Sequence, residues 1–412
     1  MNATSSKLRG GVKTTTPKKQ NTSPFTRRSA IANEQLSLLD KRDEEQSDGG
    51  SWKKQKKSDS SGINATSSKL RGGVENNNKI ILVEKTPEIS IIVPVYNSAE
   101  TMKECVNSIV AQDFTNWELL LVDDGSSDCS HDICLELAAQ DKRVVALQQE
   151  HKGVSAARNL ALDKARGTYI CFVDADDTVE PDYLSSLYEH HDYDMVICGY
   201  YVDCYNEEKH LVNREMHSLA PLATNINDNK ETLVPLFENG MININCNKLL
   251  KSNIIKNHNI RYTNYPVNED YIFMLSYLMH SNSIRAIEKP LYHWIRIENK
   301  KTGVSSIPEN LLDIYNEAHR LTRDFFGNDI FADKILYYSY NFIVLKFFNA
   351  IKENIIPCKT AFAKLRDFHR NSLVKAAYNA YNPKSKGDWI VHEIQKRGYF
   401  KLYYLLRQTI LK

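Results

Sequence analysis

The chain has 412 residues, 42% of them hydrophobic and 25% charged, with a formal net charge of +2. That length allows two or three domains with a sizeable core. The near-neutral balance lacks the basic footprint of a nucleic-acid binder, and no apolar run reaches the roughly 18 residues of a membrane span.

The eight cysteines, at 105, 129, 134, 171, 198, 204, 246 and 358, form no Cys-x-x-Cys pair. Free, mostly buried thiols in a reducing compartment are therefore expected, and a zinc site is not. The N-terminus offers no apolar h-region that would mark a signal peptide.

Residues 1–78 are rich in Ser, Thr, Lys, Asn and Gly, and the stretch Asn2 to Val12 recurs verbatim as Asn64 to Val74. Such a composition cannot offset ordering entropy, so a disordered leader is expected, with the repeat a duplication or processing scar. Order is expected from about Ile80. Ile89 to Val93 reads as a β-branched strand stopped by Pro94. Asn97 followed by Glu100 resembles a capping box, ahead of Met102, Val106, Ile109 and Val110 at helical spacing.

Strands are then expected at Leu119–Val122, Val144–Leu147, Tyr169–Val173 and Asp194–Tyr201, with helices at Ser127–Asp141 and Val154–Ala165 between them. This alternation predicts βαβ units and a mostly parallel α/β sheet flanked by helices. After about residue 205 the alternation decays. Helices are expected at Asn247–Asn257 and Asn268–His280, a strand at Leu291–Ile297, and helix almost throughout from Pro308. The end, Lys396 to Lys412, mixes Tyr399, Phe400, Leu402, Tyr403 and Tyr404 with Lys396, Arg397, Lys401 and Arg407. A basic amphipathic helix of this kind either lies on an anionic membrane surface or packs on its own domain, and both readings stay open.

Two acidic clusters carry most of the functional signal. Leu119-Leu120-Leu121-Val122 runs into Asp123-Asp124-Gly125-Ser126, and Tyr169-Ile170-Cys171-Phe172-Val173 runs into Asp174-Ala175-Asp176-Asp177. Open α/β sheets bind ligands beyond the carboxyl ends of their strands, so two acidic strand ends predict one crevice for a cation or polar ligand. Asp174 and Asp176 sit on alternate positions; one suits a ribose hydroxyl or water, the other a hard cation such as Mg2+ or Mn2+. Turns and helix caps also use Asp-x-Asp. Tyr96 is placed to stack on a base or to fill the core, and Asp124 to accept from a nucleobase or ribose or to cap a helix.

In this order Ile92-Val93-Pro94-Val95-Tyr96-Asn97, Val122-Asp123-Asp124-Gly125-Ser126, Gly153-Val154-Ser155-Ala156-Ala157-Arg158-Asn159 and Phe172-Val173-Asp174-Ala175-Asp176-Asp177 resemble the motifs of family-2 glycosyltransferases of GT-A fold, over roughly residues 87–300. The resemblance implies a nucleotide-sugar donor, most simply a UDP-sugar, held by Tyr96 and Asp124 at the nucleoside, with Pro94, Asn97 and Ala175 beside them. It further implies that Asp174 and Asp176 bind ribose and a divalent cation, Asp176 being the metal ligand, and that Arg158 faces base or phosphate, a salt-bridged helix arginine being the other reading.

Asn268-Glu269-Asp270 resembles the family's Glu-Asp signature, which would make Asp270 the general base, with Glu269 a substrate-binding residue. Read without the resemblance, these are first-turn acids of a helix. Cys246-Asn247-Lys248-Leu249 resembles the acceptor region, with Asn247 and Lys248 as lining residues. Leu291 to Arg296 resembles the strand before a basic loop, with His293 and Arg296 as diphosphate contacts.

These implications combine into an inverting, metal-dependent glycosyltransferase of the bacterial polysaccharide or glycolipid type, acting on a glycan or lipid-linked acceptor at the cytoplasmic membrane face. The expected organisation is a leader (1–78), a GT-A domain (79–304) and a helical region (305–412) serving acceptor binding, membrane contact or self-association as a homo-oligomer. A nucleotidyltransferase is the enzymatic rival, but Tyr96-Asn97-Ser98-Ala99 is not the Gly-rich phosphate loop it would need. A non-catalytic sugar-nucleotide-binding scaffold is the other rival.

Overall fold

In the computed structural model, residues 86–298, 308–327, 329–352, 354–383 and 386–410 are described. The leader 1–78 and its repeat lie outside these residues, as do residues 299–307 after the Leu291–Ile297 strand. Val83–Lys401 form one compact unit. A second unit comprises residues 1–82 and 402–412, of which 402–410 are described and helical.

The chain enters as β1 (Ile89–Val95), α1 (Met102–Val110), β2 (Trp117–Asp123), α2 (Ser130–Gln140), β3 (Val144–Gln148), α3 (Val154–Lys164) and β4 (Tyr169–Phe172). There follow β5 (Thr178–Val179), α4 (Tyr183–Tyr188), β6 (Met195–Tyr205), β7 (Leu211–His217), β8 (Leu222–Asn225) and α5 (Val234–Glu238). Next come β9 (Lys248–Lys251), α6 (Ser252–Asn257), α7 (Glu269–Leu278) and the long β10 (Ser283–Ile297). Helices α8 (Leu311–Phe326), α9 (Asp329–Lys352), α10 (Cys358–Arg370), α11 (Ser372–Ala380), α12 (Lys386–Lys396) and α13 (Phe400–Ile410) close the sequence.

The strands form one sheet in the order β3-β2-β1-β4-β9-β6-β10-β5, with β7 added on β6 and β8 on β10. The β3-β2-β1-β4 half is parallel throughout. All seven positions of β2 are buried, which is why its Leu119–Val122 stretch reads as a continuous apolar run: α3 packs on β1 and β2, α2 on β2 and β3.

Beyond β4 the sheet is mixed rather than mostly parallel, because β9 runs antiparallel to both β4 and β6 while β6 and β10 are parallel. The helix expected over Asn247–Asn257 is thus a strand followed by a short helix. Leu249 and Leu250 are both buried, one on each face of the sheet, and a short apolar run of this kind has the same pattern in a strand as in a buried helix. Strand β10 starts earlier than the sequence pattern suggests and shifts register around Pro290, which has no N–H to give to a ladder.

Helices α8 to α12 pack among themselves. Helix α8 lies on α7, where the Tyr271 and Thr322 hydroxyls are 2.8 Å apart in the buried seam. No described helix is long and apolar enough to cross a membrane.

Candidate active site

The parallel register sets Val95 beside Asp123, Asp123 beside Gln148, and Ile92 beside Phe172, so all four strands end at one edge. Pairing of β1 with β4 stops at Ile92, with a last bond from Val173 N to Ile92 O of 3.0 Å. Past that point no ladder bond joins the acidic turn to β1. The two acidic clusters therefore share one edge.

At the β1–β2–β3 side, Asp124 is buried. Its carboxylate accepts from Gln149 Nε2 (2.6 Å), Lys152 N (2.8 Å) and Gly153 N (2.8 Å), and His151 Nδ1 lies 2.8 Å from Oδ2. The carboxylate thus folds the 149–153 loop around itself. Gly153 opens α3 at φ +92°, a backbone conformation that side chains disfavour. At Gly125, φ is +68° and a Cβ would meet His151 N at 2.8 Å. Tyr96, 47% exposed, stacks on the His151 ring.

Asn97 is not a helix cap. It sits in the left-handed region at φ 49°, donates its N–H to Ser126 Oγ (2.9 Å) and accepts from Ser127 N (2.8 Å), clasping the ends of β1 and β2. Asn tolerates this conformation because its short amide can bond locally.

At the β4 side, Arg158 of α3 is the hub. It is 4% exposed and reaches Asp174 Oδ1 at 3.0 Å, Asp270 Oδ1 at 2.9 Å and Glu269 Oε1 at 3.9 Å. The Tyr262 ring lies 5.3 Å from its guanidinium carbon. One buried cation thus joins the strand-end acid to the first-turn acids of α7, Arg158 and Asp270 being 112 positions apart in sequence. Breaking such a pair from one side leaves an uncompensated buried charge.

Asp270 is about a quarter exposed but lies deep in this concave cluster. Burial pushes its carboxyl up to about 7; Arg158 opposes the rise, and Glu269 and Asp174 add to it. Asn245 also donates to Asp270 Oδ1, at 2.9 Å. Cys246 Sγ lies 3.4 Å from Asp174 Oδ2.

The acidic turn is pinned from β10. Tyr292 donates its hydroxyl to Asp177 Oδ2 and accepts from Asp174 N at 3.2 Å, while Ile295 N donates to Asp177 Oδ1 at 2.8 Å. Burial, followed by the neighbouring Asp174 and Asp176, holds the Asp177 carboxyl well above the usual range. Ala175 is buried between these acids and Asp176 is exposed. Among the described residues no group of three or more His, Cys, Asp or Glu side chains is placed to hold a metal by itself. The exposed Asp176 carboxylate is a hard oxygen donor, which fits a cation whose remaining ligands are phosphate oxygens and water.

Four expected lining residues have other surroundings. Asn247 and Lys248 are both 0% exposed and so line no accessible surface. Asn247 Nδ2 donates to Cys198 O at 2.7 Å. Lys248 Nζ donates to Met241 O and Asn247 Oδ1, each at 2.7 Å, and to Ile244 O. Three oxygens match the three hydrogens of an ammonium, although burial lowers the group to about 7. Their sequence pattern is that of a strand buried on both faces.

His293 bridges Asp203 Oδ2 (2.8 Å) and Glu180 Oε1 (3.0 Å), and Asp203 also holds Arg214 at 2.6 Å, so this strand histidine belongs to an ion network. Arg296 is exposed and stacks on Trp294, 4.0 Å from its ring centre. Sequence reasoning missed Asn245, Tyr262, Asp177 and Tyr292. The last two lie within quoted stretches, but Asn245 and Tyr262 sit in irregular chain with no periodic signal.

The pattern of the family described as Glycosyl transferase family 2 matches residues 90–258. EpsH of Bacillus subtilis, named as an inferred glycosyltransferase, is 31% identical over 218 residues, which is 51% of this chain and 61% of EpsH. Glycosyltransferase GlyG of Streptococcus pneumoniae is 44% identical over 117 residues, 27% of this chain and 39% of GlyG. The chain therefore spans about two fifths to three fifths of these relatives. Among solved structures, residues 1–349 of S. aureus TarS in complex with UDP-GlcNAc superpose with a TM-score of 0.56 at 18% identity, covering 78% of this chain and 91% of that one. This last likeness is one of fold.

Proposed function

We propose that this chain, whose residues 90–258 match the Glycosyl transferase family 2 pattern and whose fold is of GT-A type, moves a sugar from a nucleoside-diphosphate sugar to a hydroxyl of a glycan or lipid-linked acceptor, with inversion at the anomeric carbon. The observation that carries this reading is the Arg158 bridge, which gathers Asp174 and Asp270 at the sheet's carboxyl edge.

In this reading Tyr96 and the Asp124-anchored loop receive the nucleoside, and Asp174 and Asp176 face ribose and diphosphate. Asp270 takes the proton of the acceptor hydroxyl as that oxygen attacks the anomeric carbon. A carboxyl pushed up to about 7 is a better proton acceptor than an ordinary aspartate and still ionises near neutrality. A divalent cation at Asp176, Mn2+ or Mg2+, would neutralise charge growing on the leaving diphosphate.

The same reading takes residues 79–304 as the catalytic domain and 305–412 as an accessory helical region. It takes the protein as cytoplasmic, with peripheral membrane contact through its C-terminal helix, and extends to self-association as a homo-oligomer. A cholesterol galactosyltransferase of Borreliella burgdorferi, 25% identical over 68% of this chain and 85% of that protein, supports an acceptor hydroxyl on a lipid.

The test is a thermal-shift and turnover screen of UDP-, GDP- and dTDP-sugars with and without Mn2+ or Mg2+. A donor that raises the melting temperature and is consumed, with loss of both effects in chelator, is expected. If no nucleotide sugar is bound or consumed under any cation, the proposal is wrong.

A further inference from the structure

Both donors that reach Asp270 converge on the same oxygen. Arg158 Nη1 and Asn245 Nδ2 each lie 2.9 Å from Oδ1, and among the described residues no hydrogen bond reaches Oδ2. Asn245 is itself locked. It is 1% exposed, its Nδ2 also donates to the Tyr262 hydroxyl at 2.9 Å, and its Oδ1 accepts the Cys246 thiol at 2.8 Å. Tyr262 is fixed in turn by Asn159, whose side chain bonds both backbone groups of Tyr262, at 2.8 and 2.9 Å, and by stacking 4.1 Å from Phe273 of α7. A buried amide with every hydrogen committed has one orientation, and so has the carboxylate it holds.

We propose that Asn245 is a positioning residue for the transfer reaction: with Arg158 it anchors Oδ1 of Asp270, so that Oδ2 alone is presented to the incoming hydroxyl. This rests on the glycosyltransferase reading above. The division of labour follows from chemistry. A carboxylate with one oxygen held by two donors keeps its second oxygen for the substrate proton, which moves to Oδ2 as the new C–O bond forms and the diphosphate departs.

Asn245 supplies its bond without adding a charge. The groups facing Asp270 already include Arg158 and Lys248 as cations, Asp174 and Glu269 as anions, and Cys246 and Tyr262 as neutral titratable groups.

The experiment is a pH–rate profile with whichever nucleotide sugar the wild type consumes, comparing Asn245→Ala, the isosteric Asn245→Asp, Asp270→Asn and the double variant Asn245→Ala/Asp270→Asn. Losing a hydrogen bond to a charged group should lower kcat about 10- to 100-fold in Asn245→Ala, with little change in donor KM. The acid limb should move up by about one pH unit, and further in Asn245→Asp, where a second carboxyl faces the base. The double variant should be no slower than Asp270→Asn, because Asn245 acts only through that carboxylate.

Wild-type kcat and an unmoved acid limb in folded Asn245→Ala and Asn245→Asp would overturn the proposal. So would a double variant clearly slower than Asp270→Asn. If Asn245→Ala does not fold, Tyr262→Phe removes the oxygen holding the same amide and should move the acid limb in the same direction by less; an unmoved limb there overturns the proposal. A wild type inactive on every nucleotide sugar would instead refute the glycosyltransferase reading.

Discussion

Tyr96 lies nearly flat on His151, with ring centroids 4.3 Å apart and planes inclined by 24°. Beneath them the Asp124 carboxylate holds the His151 loop to the end of β2. The half-exposed tyrosine offers an aromatic face at the sheet's carboxyl edge, which a nucleobase can occupy in place of the imidazole. Base–aromatic stacking contributes about 1–3 kcal/mol. Tyr96→Ala should therefore raise donor KM by about 5- to 150-fold with kcat nearly unchanged, while Tyr96→Phe stays near wild type. Steady-state kinetics over a donor series decide this. An unchanged KM in Tyr96→Ala would make the stack purely structural.

Asp270→Asn keeps the shape of the carboxylate and removes its basicity. Turnover should fall about 10²–10⁴-fold while donor binding persists by thermal shift. In the wild type, kcat/KM should rise with pH through about 7, because only the ionised carboxylate accepts the proton. Stability carries the opposite sign. A carboxyl raised from 3.8 to about 7 binds its proton more tightly folded than unfolded, so its contribution is full below 3.8 and is lost as pH rises to about 7. Asp270→Asn lacks this loss. Urea unfolding across that window should show the wild type weakening relative to the variant.

Lys248 holds three oxygens of the 241–247 segment rather than a substrate. Lys248→Met fits the volume but leaves Met241 O, Ile244 O and Asn247 Oδ1 without their donor. With about 1–3 kcal/mol for each unsatisfied buried group, the variant should lose about 3 kcal/mol or more of stability. Chemical denaturation reads this directly. A variant as stable as the wild type would show that the segment refolds around other partners.

Tyr292 ties the acidic turn to β10 through one hydroxyl. Tyr292→Phe deprives buried Asp177 of a donor and Asp174 N of an acceptor, which should lower stability by about 1–3 kcal/mol. Because the same turn presents Asp176, donor KM should rise as well. A lower melting temperature with an unaltered KM would show that the turn holds its shape without Tyr292.

The strands of the parallel half were legible because burial on both faces gives unbroken apolar runs, and their acidic ends stood out against those runs. The first-turn acids of α7 were legible as a helix start for the same local reason. Lys248 misled because a buried lysine and a site lysine have the same letter and the same neighbours in sequence; only the three oxygens around it distinguish them. Asn245 and Tyr262 left no trace at all, since irregular chain carries no periodicity from which an orientation can be read.

Sequence by itself therefore determined the strand-helix alternation, the acidic strand ends and the ordered motifs, all properties of contiguous residues and their periodicity. Tertiary structure alone decided that Arg158 joins Asp174 to Asp270, that Asn245 holds the same carboxylate, and that Asn247, Lys248 and His293 serve the framework. Those pairings join elements up to about a hundred residues apart, and their strength depends on burial, which no local pattern encodes.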